Sequence, residues 1–297
     1  MGMSWAYGPG DGADDPIQVI HRAIDLGATL IDTADMYGPF KNEELVGRAL
    51  RGCRDQVVLA TKGGYVVRGV EPISLAPNGS PEHLAAACDA SLARLGVEYV
   101  DLYYLHRPDP KVAIEESVGA LARMVEQGKV RAIGLSECDV PTLERAQQVH
   151  PITALQSEFS LWTREPLAEI LPWCVRNRVA FVPFSPLSRG FLTGSQKSGT
   201  AFSRTDFRSG LPRFQAEAFE ANLALVAQLE AIAVSLNATV AQVALAWVLA
   251  QGEQIIPIPG TRRLSRLEEN CAAADLILSP DDLAAIDALP APMGARY

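Results

Sequence analysis

Residues 99–136 read YVDLYYLHRPDPKVAIEESVGALARMVEQGKVRAIGLS. The stretch opens on an apolar, aromatic-rich run, Tyr99–His106, and closes on a second β-favouring run, Val130–Ser136. Between them Ala113–Gln127 is an amphipathic stretch that stops at Gly128. Near-continuous Val, Ile and Leu runs are what strands covered on both faces require. A strand, a helix and a strand in that order predict two parallel strands joined by a right-handed crossover.

The same alternation extends outward in both directions. Strands are expected at Thr29–Thr33, Gln56–Lys62, Ile152–Gln156, Val179–Ser185 and Gln254–Pro257. Helices are expected at Pro16–Leu26 behind Asp15, at Asn42–Leu50 starting from Asn42, and at Pro81–Leu95 between Ser80 and Gly96. Further ones follow at Pro141–Val149, Glu165–Asn177, Ala216–Leu236, Val240–Ala250 and Leu264–Ala273. The helix 280–289 follows the alternation as a C-terminal addition. Seven strand–helix units spread evenly, with no Ser/Gly-rich or charge-rich linker, favour one closed α/β barrel over residues 1–297 rather than an open doubly wound sheet. The irregular stretches are Gly63–Gly79 and Pro186–Gln215; a connection as long as the second is usually functional or disordered.

The 297 residues are ample for a large core. Hydrophobic residues at 48% argue against disorder, and a formal net charge of −9 argues against nucleic-acid or membrane-surface binding. Unbroken apolar runs such as Val240–Leu249 are too short to span a bilayer. The first fifteen residues lack the regions of a signal peptide. Cys53, Cys88, Cys138, Cys174 and Cys271 are odd in number and scattered, which fits free thiols in a reducing cytoplasm. No His/Cys/carboxylate cluster has metal-ligand spacing, so no metal is expected. The absence of GxGxxG and GxSxG argues against a Rossmann nucleotide site and a serine hydrolase.

In a parallel barrel the chemistry gathers where strands end. Three successive strand ends carry Asp32 with Tyr37 five residues on, then Lys62, then His106. An acid, a phenol, an amine and an imidazole at equivalent heights form a coherent proton-transfer set. The ordinary roles of each alone (a turn cap, packing, a solvated lysine, a structural histidine) do not account for all four together.

The runs IDTADMYGPFKNEELVGRAL, LATKGG, DLYYLHRP, IGLSE, LQSEFSLW, PFSPLSRGFLTG and IPIPGTRRLSRLEEN resemble, in order, the aldo-keto reductases. The resemblance implies a (β/α)8 TIM-type barrel that binds NADPH and reduces a small carbonyl substrate. It assigns the catalytic set to Asp32, Tyr37, Lys62 and His106. Tyr37 would protonate the alkoxide, Lys62 would stabilise the tyrosinate, Asp32 would keep Lys62 charged, and His106 would polarise the carbonyl. The same resemblance implies that Ser136 and Gln156 hold the nicotinamide amide and Phe184 stacks on its ring. Glu137 stands where the family often has Asn, and Phe184 where a Tyr is common. Ser185, Leu187, Arg189 and Gly190 would lie beside the pyrophosphate. Gly260, Thr261, Arg262 and Arg266 would meet the phosphates at a helix start, favouring NADPH over NADH, with Glu269 and Asn270 at the adenine. Trp5, Tyr7, Tyr65 and Trp162 are candidates for the substrate wall. A rival reading is a redox-sensing NADPH-binding regulatory subunit resembling ion-channel β-subunits. Only seven strands are found where the family has eight. The missing one is the first, so the functional protein is expected to carry roughly 20 more residues at its start, enough for a hairpin and a strand.

Overall fold

The structure is a computed structural model that describes residues 3, 13–70, 73–203 and 206–297. Trp5 and Tyr7 lie outside the described residues. The chain runs through α1 (Pro16–Asp25), β1 (Leu30–Asp32), α2 (Lys41–Ala49), β2 (Val58–Gly63), β3 (Tyr65–Val70), β4 (Ile73–Pro77), α3 (Pro81–Leu95), β5 (Val100–Leu105) and α4 (Ile114–Glu126). It continues through β6 (Val130–Ser136), α5 (Val140–Val149), β7 (Ala154–Glu158), α6 (Ile170–Asn177), β8 (Ala180–Phe184), α7 (Ala216–Ser235), α8 (Val240–Leu249), α9 (Leu264–Ala272) and α10 (Pro280–Asp287).

The main sheet is parallel, in the order β1-β2-β5-β6-β7-β8, and curls as the wall of a (β/α)8 barrel. The period-two alternation of strands divides each one between two layers. Ala60, Leu102, Tyr104, Ala154 and Val182 pack together inside the barrel, joined by Leu30, Ala132, Ala180 and Ile258. The intervening residues, among them Ile31, Leu59, Tyr103, Ile133, Leu155 and Phe181, pack outward in the large core they share with the helices. Inside, Gly134 gives its space to Tyr104, whose ring lies 2.5 Å from where a Cβ would stand.

Several elements differ from the sequence expectation. The seventh strand, expected at Gln254–Pro257, is an isolated parallel bridge between Phe181 and Ile255. Phe181 N donates to Gln254 O, Ile256 N to Phe181 O and Ile258 N to Pro183 O. Pro257 and Pro259 lack the N–H groups a continuous ladder needs. The segment Gly63–Gly79, expected to be irregular, contains the antiparallel hairpin β3–β4 with a register shift between Val67 and Gly69. Helix Glu165–Asn177 is broken: Glu165–Leu167 forms a short 3₁₀ turn and α6 restarts at Ile170. A continuous helix would have placed Pro172 in its interior, where it cannot donate and clashes with the preceding turn. Asn42 does not cap α2. The chain enters from Phe40 at φ 68°, and Asn42 turns inward to accept from Thr33 Oγ1 at 2.8 Å.

Among the described residues no strand joins β1 to residues 254–258, but the helical layer meets there. Val19, Ala23 and Leu267 form a small core between α1 and α9, and Arg22 pairs with Glu268 at 2.8 Å. All five cysteines are free thiols. Helix α7 is long and apolar enough by length and composition to cross a membrane, a feature that unbroken apolar runs do not reveal. In this fold it packs on the barrel through Phe219, Val226, Leu229 and Ala233.

Candidate active site

The inward-facing rows of six adjacent strands carry, at or near their C-terminal tips, Asp32, Lys62, His106, Ser136, Gln156 and Phe184. Each stands two residues beyond an interior apolar position or, in Ser136, beyond Gly134. The pleat alone therefore brings these six onto one face at one end of the barrel. Tyr37 joins them from the turn after β1. That turn is tied to β2 by Asp35 N donating to Lys62 O at 3.1 Å and is closed on itself by Tyr37 N donating to Ala34 O at 3.2 Å.

The charges are arranged in pairs. Lys62, 1% exposed, donates through Nζ to Asp32 Oδ1 and to Thr33 O at 2.8 Å. Gln156 Nε2 donates to the other Asp32 oxygen at 2.9 Å. Lys62 Nζ lies 5.3 Å from the centre of the Tyr37 ring. Burial works against the Lys62 charge, but the Asp32 carboxylate and the Tyr37 phenol outweigh it, and the ammonium is held above its ordinary range. His106 has the opposite fate. Burial first, then the Lys62 and Arg107 charges, push it well below the usual imidazole range, so its ring is neutral at neutral pH. Its Nδ1 is buried without a hydrogen-bond partner among the described residues. Tyr37 and Tyr65 meet the same ring edge-on, at 6.0 and 5.1 Å between centroids. Tyr65 arrives from hairpin β3–β4, which follows β2 directly and so stands at this end of the barrel.

These side chains open into a groove of 550 Å³. Asp32, Tyr37, His106, Gln156, Phe184, Ser185, Leu187, Arg189, Gly190, Gly260, Thr261, Arg262, Arg266, Glu269 and Asn270 all line it, so the sequence-named groups from five distant segments converge. Ser136 reaches the groove through Arg107, whose Nη1 donates to Ser136 Oγ at 2.9 Å. The loop after β8 is strained. Ser185, Ser188 and Arg189 have φ of 50°, 48° and 55°, and Gly190 has φ 90°. Such backbone is retained where a close approach to a ligand requires it.

Two placements differ from expectation. Arg189 lines the groove, but its guanidinium forms a buried two-pronged bond to Glu158, with Nη1 at 3.1 Å and Nη2 at 2.8 Å. Its charge is spent on the loop's anchorage rather than held for a phosphate. Trp162 is packed on Phe191 at 4.8 Å and turned toward a small separate hollow with Leu192 and Leu225, away from the groove. Glu137, at φ 55°, accepts from Glu158 N at 2.8 Å and Arg296 Nη2 at 2.6 Å, so its carboxylate ties the C-terminal segment to the strand ends. At α9, Leu264 N already donates to Asp14 Oδ2 at 2.7 Å, so the arginines carry more of the positive charge there than the helix start does. Sequence reading missed Arg107, Arg208 and Arg263, which also line the groove. Arg107 and Arg263 each adjoin a residue already singled out. Arg208 lies in the long segment whose path only the folded chain reveals.

The sequence profile described as the aldo/keto reductase family matches residues 4–291. The chain belongs to this family. Aldo-keto reductase yakc, named with NADP(+), from Schizosaccharomyces pombe is 45% identical over 284 residues, spanning 94% of this chain and 83% of that protein. The structure of the glycerol dehydrogenase AKR11B4 from Gluconobacter oxydans superposes with a TM-score of 0.87 at 32% identity, covering 96% of this chain and 87% of that one. A Klebsiella pneumoniae aldo-keto reductase in complex with NADPH gives a TM-score of 0.74 at 27% identity, covering 98% and 90%. This aldo-keto reductase barrel thus carries its convergent strand-end residues in the fold shared with those proteins.

Proposed function

We propose that this protein reduces an aldehyde or ketone to an alcohol with NADPH, using Tyr37 as the proton donor. The observation that carries the reading is the Asp32–Lys62–Tyr37 chain, with a neutral His106 beside it, at the foot of an arginine-lined groove. The groove's donors suit the cofactor: an aromatic face at Phe184, a hydroxyl and an amide at Ser136 and Gln156, and Arg262, Arg263 and Arg266 for phosphate. The yakc name carries NADP(+), and the Klebsiella pneumoniae structure holds NADPH.

When bound, NADPH supplies the hydride that the carbonyl carbon accepts. His106, kept neutral, donates to the carbonyl oxygen and orients it. Tyr37 gives its phenolic proton to that oxygen. Lys62 stabilises the phenolate left behind, and Asp32 keeps Lys62 protonated and in place. Help of this kind is worth roughly 10²–10⁴ in rate. Tyr65 forms one side of the substrate space through its contact with His106. The substrate is a small carbonyl compound, and the free thiols suit a cytoplasmic setting.

The test is carbonyl-dependent loss of NADPH absorbance across a panel of aliphatic and aromatic aldehydes and ketones. Turnover with at least one class, faster with NADPH than NADH, is expected. Tight NADPH binding with no turnover of any carbonyl would overturn the reading in favour of a regulatory subunit.

A further inference from the structure

Arg107 immediately follows His106 and lines the groove. Its Nη1 donates to His106 O at 2.6 Å and to Ser136 Oγ at 2.9 Å, and its guanidinium lies 5.8 Å from the centre of the Phe184 ring. Ser136 and Phe184 are the two groups that, on the reading above, receive the amide and the ring of nicotinamide. Arg107 therefore holds a full positive charge at the nicotinamide end of the groove. The nearby carboxylates are engaged elsewhere: Asp32 with Lys62 and Gln156, Glu137 with Arg296, Glu158 with Arg189. Among the described residues no carboxylate lies within ion-pair distance of Arg107.

We infer that Arg107 makes the cofactor site discriminate by redox state, favouring the reduced cofactor and repelling the oxidised one. The nicotinamide ring is neutral in NADPH and carries a positive charge in NADP⁺. The rest of the two cofactors is identical, so contacts to the phosphates, ribose and adenine cancel in a comparison of their affinities. A fixed guanidinium beside the ring does not cancel. At roughly 6 Å, the guanidinium's distance from the Phe184 ring on which the nicotinamide would stack, two unit charges interact enough to shift a binding constant about 3-fold in bulk water and about 100-fold at an effective dielectric near 20. A half-buried site falls between, at about 10-fold. The same charge already acts on a neighbour, since Arg107 is one of the groups that hold His106 neutral. The functional consequence is release of oxidised cofactor after each turnover, with the site left ready for NADPH.

The inference rests on the groove being the NADPH site, and one experiment separates the two claims. Dissociation constants for NADPH and for NADP⁺ are measured by fluorescence titration of wild type, Arg107→Met, Arg107→Gln and Arg107→Lys. The ratio of the NADP⁺ constant to the NADPH constant is independent of the fraction of folded protein. It should exceed one in wild type, fall about 10-fold in the Met and Gln variants, and be kept by Lys. In wild type it should also shrink as salt rises, a reading that stands even if a neutral variant does not fold. A ratio unchanged by loss of the charge, with both affinities weakened equally, would make Arg107 a plain contact and overturn the inference while leaving the NADPH site standing. Wild type that binds neither cofactor would overturn both.

Discussion

Asp35 sits on the turn that carries Tyr37, 4% exposed, with one carboxylate oxygen buried and, among the described residues, without a hydrogen-bond partner. Its backbone is fixed on both sides, by Asp35 N to Lys62 O at 3.1 Å and Phe40 N to Asp35 O at 2.9 Å. Burial first, and then the buried Glu43 carboxylate, push its pKa up from 3.8 to about 7, against the smaller pull of a backbone hydrogen bond from Met36 and then of Arg94 and Lys62. The folded state therefore holds this proton more tightly than the unfolded chain. The contribution to stability is fully present below about pH 4 and is lost as pH rises toward about 7, after which the loss is constant. A shift of about 3 units corresponds to about 4 kcal/mol at the upper end. Asp35→Asn, which keeps the shape and removes the titration, should match wild type near pH 4 and be more stable at pH 8 by about 2–4 kcal/mol. For a chain of this size that is roughly a 3–6 °C rise in Tm. The assay is a thermal melt of both proteins from pH 4 to pH 8. A difference in Tm that does not grow with pH, or an Asn variant less stable at pH 8, would refute the reasoning.

Three further outcomes follow from the geometry. Arg266→Ala should weaken NADPH binding about 10- to 100-fold and NADH binding far less, since a charge-assisted bond to the extra phosphate is worth roughly 1.5–3 kcal/mol; equal losses in parallel titrations would remove Arg266 from that role. Glu158→Gln strips the partner from Arg189, whose side chain is 4% exposed, and should lower stability by roughly 3–5 kcal/mol, read from denaturant melts; an unchanged midpoint would show the pair to be dispensable. Gly134→Ala drives a Cβ to 2.5 Å from the Tyr104 ring and 2.9 Å from Ala154 O inside the barrel, and should cost roughly 1–3 kcal/mol, whereas a variant melting with wild type would mean the wall yields freely.

The sequence made the barrel legible because its strands are buried on both faces and read as nearly unbroken apolar runs, while its helices carry clear stops such as Gly96 and Gly128. The strand-tip residues were legible for a related reason: in a parallel barrel the chemistry gathers where strands end, and Asp32, Lys62 and His106 each close an apolar run. What escaped depends on contacts between distant segments. Nothing local marks Arg189 as the partner of Glu158, 31 residues away, or Arg296 as the partner of Glu137. Trp162 looked like a pocket wall because it follows a strand end, but Phe191 and its neighbours offered it a larger apolar surface. The hairpin β3–β4 was hidden by its Gly, Pro and Arg content, which punctuates the alternation that would otherwise announce two strands. Gln254–Pro257 has the composition of a strand, and Pro257 with Pro259 just beyond limits it to a bridge.

The claim on which the rest depends is that Tyr37 protonates the substrate oxygen while Lys62, Asp32 and His106 prepare it to do so. Tyr37→Phe removes one hydroxyl and almost no volume. NADPH affinity by fluorescence and kcat for a reactive aldehyde, measured on the same preparation, test it most directly. The account predicts an unchanged NADPH dissociation constant and a kcat lowered by about 10²-fold or more. A variant that keeps more than about a tenth of wild-type kcat would contradict it and assign the proton to another group.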